Sequence, residues 1–124
     1  MKKKTVAKSR IVLDIMPVAL LSSFASLPPW LTHVPYTLYK GDTWTALKSL
    51  VRAHLDANPD AAVFILGRKG ELTDDGLSVI LPLVQGRRVT IAMAEGREED
   101  KDKWAGADVI CGPPAEMAII AITK

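Results

Sequence analysis

The sequence predicts a single α/β domain built on a small, mainly parallel β-sheet with flanking helices. Three observations predict it. Apolar runs of strand length recur at residues 10–15, 61–66, 87–94 and 107–111, mostly without the polar alternation of a strand that faces water on one side. Segments of helical period lie between them. The connections are short, which favours right-handed crossovers between parallel strands. A chain of 124 residues is close to the commonest domain size, and it buries enough surface to hold a core without disulfides or metal.

In chain order, Arg10 to Ile15 reads as a strand ended near Pro17, and residues 18–25 fit a short helix or a second strand equally well. Leu27-Pro28-Pro29-Trp30 is a stiff turn, and Val34 to Tyr39 is a strand stopped by Gly41-Asp42. Trp44, Leu47, Leu50, Val51, His54 and Leu55 share one helical face, so residues 43–57 form an amphipathic helix. Asp42 or Thr43 caps its start and Asn58-Pro59 ends it. Ala61 to Leu66 is a buried strand, followed by a Gly67-Arg68-Lys69-Gly70 loop. Thr73 then caps a helix that carries Asp74 and Asp75 in its first turn and must kink or stop near Leu81, ahead of Pro82. Residues 87–94 form another strand. Arg97 to Lys103 suggests a short exposed helix with a Glu99–Lys103 pair, ending at Gly106. Ala107 to Cys111 is a fourth buried strand, and the uniformly apolar Met117 to Ile122 reads as a last one.

Composition narrows the function classes. The 16 basic and 14 acidic residues are unevenly spread: Lys2, Lys3, Lys4, Lys8 and Arg10 fall in the first ten positions with no acid among them. Residues 1–10 are therefore a basic tail, and residues 11–124 form the domain, with 11 basic and 14 acidic residues. Such a tail suits nucleic acid or anionic lipid, or is simply solvated. No basic stripe continues into the body and aromatics are sparse, so a nucleic-acid partner is not expected. One cysteine, Cys111, excludes an intramolecular disulfide and suits a reducing, cytoplasmic compartment. The minority reading is secretion: the basic start, the apolar stretch from Ile11 to Ala25 and Ser23-Phe24-Ala25 make a signal-like segment, which Asp14 and Pro17 interrupt. That stretch is too interrupted to span a membrane. His33 and His54 do not make a metal cluster, and no cofactor is expected.

From Trp44 onward the order of elements resembles the Clp protease/crotonase superfamily, in its signal peptide peptidase A-like branch. The pieces that carry the likeness are Ala62 to Leu66, the Gly67 to Gly70 loop, Asp75-Gly76-Leu77, Val89 to Met93 and Ala107 to Ile110. The same pattern fits a STAS domain or a small flavodoxin-like sheet. The resemblance implies a nucleophilic serine at a glycine-rich helix start. The corresponding Glu95 to Lys101 has no serine and is dense with charge. Serine-peptidase chemistry is therefore not expected, and the missing glycines weigh against thioester chemistry.

Ligands of parallel sheets bind where the C-terminal strand ends share a rim. On these assignments the rim receives Asp42, Arg68, Lys69, Glu95, Arg97 and Cys111. Arg68 and Lys69 on a glycine-flanked loop suit an anion, and Asp42 or Glu95 suits a general base. The plainer reading is a polar turn, a capping acid and solvated loop charges. With no nucleophile–base pair or metal constellation in the sequence, it favours a non-catalytic interaction or assembly module that forms homo-oligomers through Trp30 and the edge of the last strand. The alternative is a small enzyme or binding protein for an anionic small molecule at the rim.

Overall fold

A computed structural model describes residues 9–15, 26–36 and 44–123. The strands are β1 (Arg10–Asp14), β2 (Leu31–Pro35), β3 (Ala62–Arg68), β4 (Val89–Ala94) and β5 (Asp108–Gly112). The helices are α1 (Trp44–Ala57), α2 (Asp74–Ile80) and α3 (Pro114–Ile122). The strands make one five-stranded, all-parallel sheet in the order β2-β1-β3-β4-β5. This is the flavodoxin-like order, with its switch point between β1 and β3. No helix among the described residues is long and apolar enough to cross a membrane.

The register explains why the apolar runs lack alternation. Val34, Leu13, Ile65, Ile91 and Val109 are direct neighbours across the strands, and all are buried on the face covered by α1 and α2. On the other face Val12, Phe64, Leu66, Ala92 and Ala94 pack under α3 through its Met117, Ala118 and Ala121. Alanine on both sides of this contact lets α3 lie close to the sheet. Ile110, expected to be inaccessible like Val63, Val89 and Val109, is only partly buried, because β5 is an edge strand with a neighbour on one side.

Local chemistry sets most boundaries. Thr73 Oγ1 accepts the Gly76 N–H at 3.1 Å and caps α2. Pro82 ends α2 at Ile80, and Leu81–Val84 tightens into a 3-10 turn. Asn58 closes α1, its side-chain amide donating to the His54 carbonyl at 2.9 Å. The caps Asp42 and Thr43, residues 18–25 and the end of the expected 34–39 strand lie outside the described residues. β2 itself starts earlier than expected, at Leu31, directly after the Pro29–Trp30 turn.

Three expectations are corrected. Residues 117–122 belong to α3, not to a strand. Pro114 pre-sets the first helical turn, and alanine, methionine and glutamate favour helix. A short apolar run has no period to tell the two states apart. Gly67 and Arg68 are the end of β3 rather than a loop; Gly67 is buried where a Cβ would meet Ile15 at 2.8 Å. The 97–103 segment is only a 3-10 turn at Glu98–Asp100. Lys103 there pairs with Asp74 at 3.7 Å, and Lys101 with Glu98 at 3.4 Å.

Trp44 and Gly76 lock α1 against α2. A Cβ on Gly76 would lie 2.1 Å from Trp44 Cε2, so the indole occupies the space that any side chain would need. Gly76→Ala, which raises helix propensity, is nevertheless expected to destabilise the protein by about 1–3 kcal/mol through overpacking, read from its urea unfolding midpoint. A variant as stable as the parent would show that the indole moves freely.

Candidate functional site

The C-terminal rim is assembled from the ends of β3, β4 and β5. Lys69 follows β3 directly, and its backbone N–H donates to the Ala94 carbonyl at 2.9 Å, so its position is fixed by the sheet. Its ammonium lies 3.0 Å from Asp100 Oδ2. Asp100 is 3 % exposed. The same carboxylate oxygen accepts the Arg97 N–H at 2.8 Å, while the Asp100 N–H donates to the Arg97 carbonyl at 2.9 Å. These bonds fold the chain after β4 into a closed turn against the Lys69 loop.

Asp100 was not among the residues the sequence marked for the rim. Its signal was an acid three residues after the start of a turn, the spacing at which a side chain reaches back to a free backbone N–H. The Arg97 N–H, followed by the Lys69 ammonium, holds the Asp100 carboxyl below the usual carboxylate range despite its burial.

The structure places the remaining rim residues as follows. Arg68, Glu95 and Arg97 are exposed. The Arg68 backbone N–H donates to Glu71 Oε1 at 3.4 Å. Glu95 has a positive φ of 67°, and its N–H donates to the Gly112 carbonyl at 2.9 Å, so it is a turn residue bridging β4 to β5. Cys111 is half-buried, with Sγ 3.5 Å from the Arg97 carbonyl. Burial pushes its thiol pKa up, away from nucleophilic reactivity. Asp42 lies outside the described residues.

A second polar pair sits at the same end of the sheet, on β1 and β2. Asp14 is fully buried, and its Oδ2 lies 2.9 Å from His33 Nε2. The sequence carries a weak trace of it, a lone acid inside an apolar strand. Ile11 to Asp14, part of the signal-like stretch, is thus a buried strand with neighbours on both sides.

The arrangement brings Lys69, Arg97 and Cys111 together around Asp100, and it pairs the partly exposed lysine with the buried acid. Exposed charge remains on Arg68, Arg97 and Glu95. A cleft of about 350 Å³ lies at the opposite end of the sheet, between Leu81, Pro82, Arg87, Val89 and Gly106. Its one charged group, Arg87, donates to the carbonyls of Leu55, Asn58 and Ala61 and so closes the C-terminal end of α1. Among the described residues no three histidine, cysteine or acidic side chains gather closely enough to hold a metal ion.

Fold and site together define a small all-parallel α/β domain whose C-terminal rim is tied by an ion pair between a partly exposed lysine and a buried aspartate. No protein-family model, curated protein or solved structure matches the chain.

Because the Asp100 pKa is depressed in the folded protein, its ionised form adds stability above the ordinary value of 3.8, and that contribution is lost as the pH falls through the lower folded value. Asp100→Asn is therefore expected to be less stable than the parent at neutral pH. The gap should close on acidification below 3.8. Urea unfolding at neutral and acid pH checks this; a gap independent of pH would show that the charge of Asp100 contributes nothing.

Proposed function

We propose that the protein is a non-catalytic interaction module whose working surface is the outer face of α3, and that it docks there on an apolar partner surface. One observation carries the reading: Ile119 is 51 % and Ile120 37 % exposed, on a helix whose only outward charged side chain is Glu116. A helix that is apolar all round is normally covered all round; α3 has the sheet on one side only. The internal pairing of Lys69 and the raised thiol pKa of Cys111 also support a role without catalysis. On the Clp/crotonase resemblance the module is a member without the nucleophile. Assembly between copies belongs to the same proposal and would fall to β5, an edge strand with no proline inside it.

Ile119→Ser combined with Ile120→Ser separates surface from core. Stability is expected to change by no more than about 0.5 kcal/mol, whereas a truncated core isoleucine costs about 2–5 kcal/mol. A loss in that higher range, measured by urea unfolding, would withdraw α3 as a docking face.

The second reading, an anionic small molecule bound at the rim, is favoured by the exposed guanidinium groups of Arg68 and Arg97 beside the Lys69 turn. It predicts a rise in melting temperature with an anionic metabolite, abolished by combining Arg68→Ala and Arg97→Ala. A flat thermal-shift screen is the outcome expected under the first reading.

A further inference from the structure

We infer that the partner of β5 is a second copy of this chain, paired antiparallel about a twofold axis at Ile110; this rests on the reading that assembly falls to β5.

The parallel ladder determines which backbone groups of β5 are already used. The Glu95 N–H donates to the Gly112 carbonyl at 2.9 Å, and Gly112 lies opposite Ala94 in the register. Along a strand, alternate residues direct N–H and carbonyl to the same side. Asp108, Ile110 and Gly112 therefore bond to β4, while Val109 and Cys111 turn their backbone groups outward. Among the described residues, no hydrogen bond closes that outer edge.

The opposite edge of the sheet is blunted. The Tyr36 N–H donates to the Asp14 carbonyl at 2.9 Å, so by the same alternation Leu31, His33 and Pro35 are the outward residues of β2. Pro35 has no N–H, and the Leu31 N–H is held by the Pro28 carbonyl at 3.1 Å. A head-to-tail contact of β5 on β2, which would grow an open-ended filament, is disfavoured on that ground. β5 has no such protection, since it carries neither proline nor lysine. A contact of β5 with itself uses only the open edge, and it closes.

β5 also matches its own antiparallel copy. With Ile110 opposite Ile110, Val109 falls opposite Cys111, and these two exchange both hydrogen bonds on each side of the axis. Ile110, only partly buried beneath α3, gains an isoleucine as its missing neighbour. Asp108 falls opposite Gly112, so no like charges face each other across the joint. The nearest are Asp108 of one copy and Glu116, beside Gly112, of the other; both are exposed, and salt screens them. One strand pair is much less than the roughly 800 Å² that each partner of a standard interface buries, so the dimer is a weak one.

The test is sedimentation equilibrium of the full chain, beside oxidation of cysteine variants. The 13.5 kDa chain is expected to move toward twice that mass as its concentration rises, within a range reaching ~1 mM. In a Cys111→Ser background, Ile110→Cys should close a disulfide-linked dimer on mild oxidation. Opposed residues of a non-hydrogen-bonded pair have Cα atoms about 4.5 Å apart, a span that a disulfide accepts. Asp108→Cys in the same background should not cross-link. Ile110→Lys, which sets two like charges on the axis, should weaken the dimer on the order of a hundredfold. A single 13.5 kDa species throughout the range overturns the pairing and leaves α3 untouched as a docking face. A dimer lost in Ile110→Lys but cross-linked through position 108 overturns the twofold register and keeps β5 as the assembly edge. A dimer that survives Ile110→Lys and is dissociated by Ile119→Ser with Ile120→Ser moves the contact to α3 and overturns both the register and the edge.

Discussion

The guanidinium of Arg10 is the contact on which the α3 side of the molecule depends. It lies 5.2 Å from the Trp30 ring centroid and 5.3 Å from that of Phe64, so it is sandwiched between the turn before β2 and the middle of β3. Its donors meet carbonyls at the C-terminal end of α3, where the helix runs out of N–H partners of its own. Burial lowers its pKa, yet an arginine stays charged under any ordinary condition. A lysine could not reproduce the arrangement, because it lacks the flat, forked donor group. One residue thus joins the first strand, the second strand's turn, the third strand and the last helix.

This contact also accounts for Trp30. A tryptophan beside two prolines reads as an exposed anchor for a second copy, but Trp30 is partly buried in its own fold, against Arg10 and the core below α3. The apolar surface left exposed on α3 is at Ile119 and Ile120.

Much of the fold was legible because its determinants are local. The 3.6-residue period of α1, the Thr73 cap, the arrest before Pro82 and the unalternated strands β3, β4 and β5 each have a cause within a few residues of sequence. Features that depend on distant partners were not legible. Arg10 was counted as part of a basic tail because nothing near it in sequence reveals the helix end more than a hundred residues away. Asp100 was counted among exposed charges because its burial is decided by Lys69, which the sheet places beside it. The same holds at the candidate site: the position of Lys69 just after β3 could be read locally, whereas its pairing with Asp100 could not. Residues 117–122 failed differently, since a short apolar stretch satisfies helix and strand alike until the sheet beneath it selects one.

Polar side chains close both ends of the sheet. At the C-terminal rim Lys69 is paired with Asp100 and His33 Nε2 lies at hydrogen-bond distance from Asp14 Oδ2, so the strand ends are tied together by side chains of the fold itself. At the other end Arg10 donates to the carbonyls at the end of α3. α3 joins these two regions. Its inward face is small enough, with Ala118 and Ala121 over Ala92 and Ala94, to sit tightly on the sheet. The bulk that such a close approach excludes is carried on the outside, by Ile119 and Ile120. The exposed isoleucines are therefore not left over from an incomplete core, because the core beneath them is filled by alanine and by Met117. Their exposure is not explained by the packing beneath them, and it is this exposure that the proposed docking face rests on.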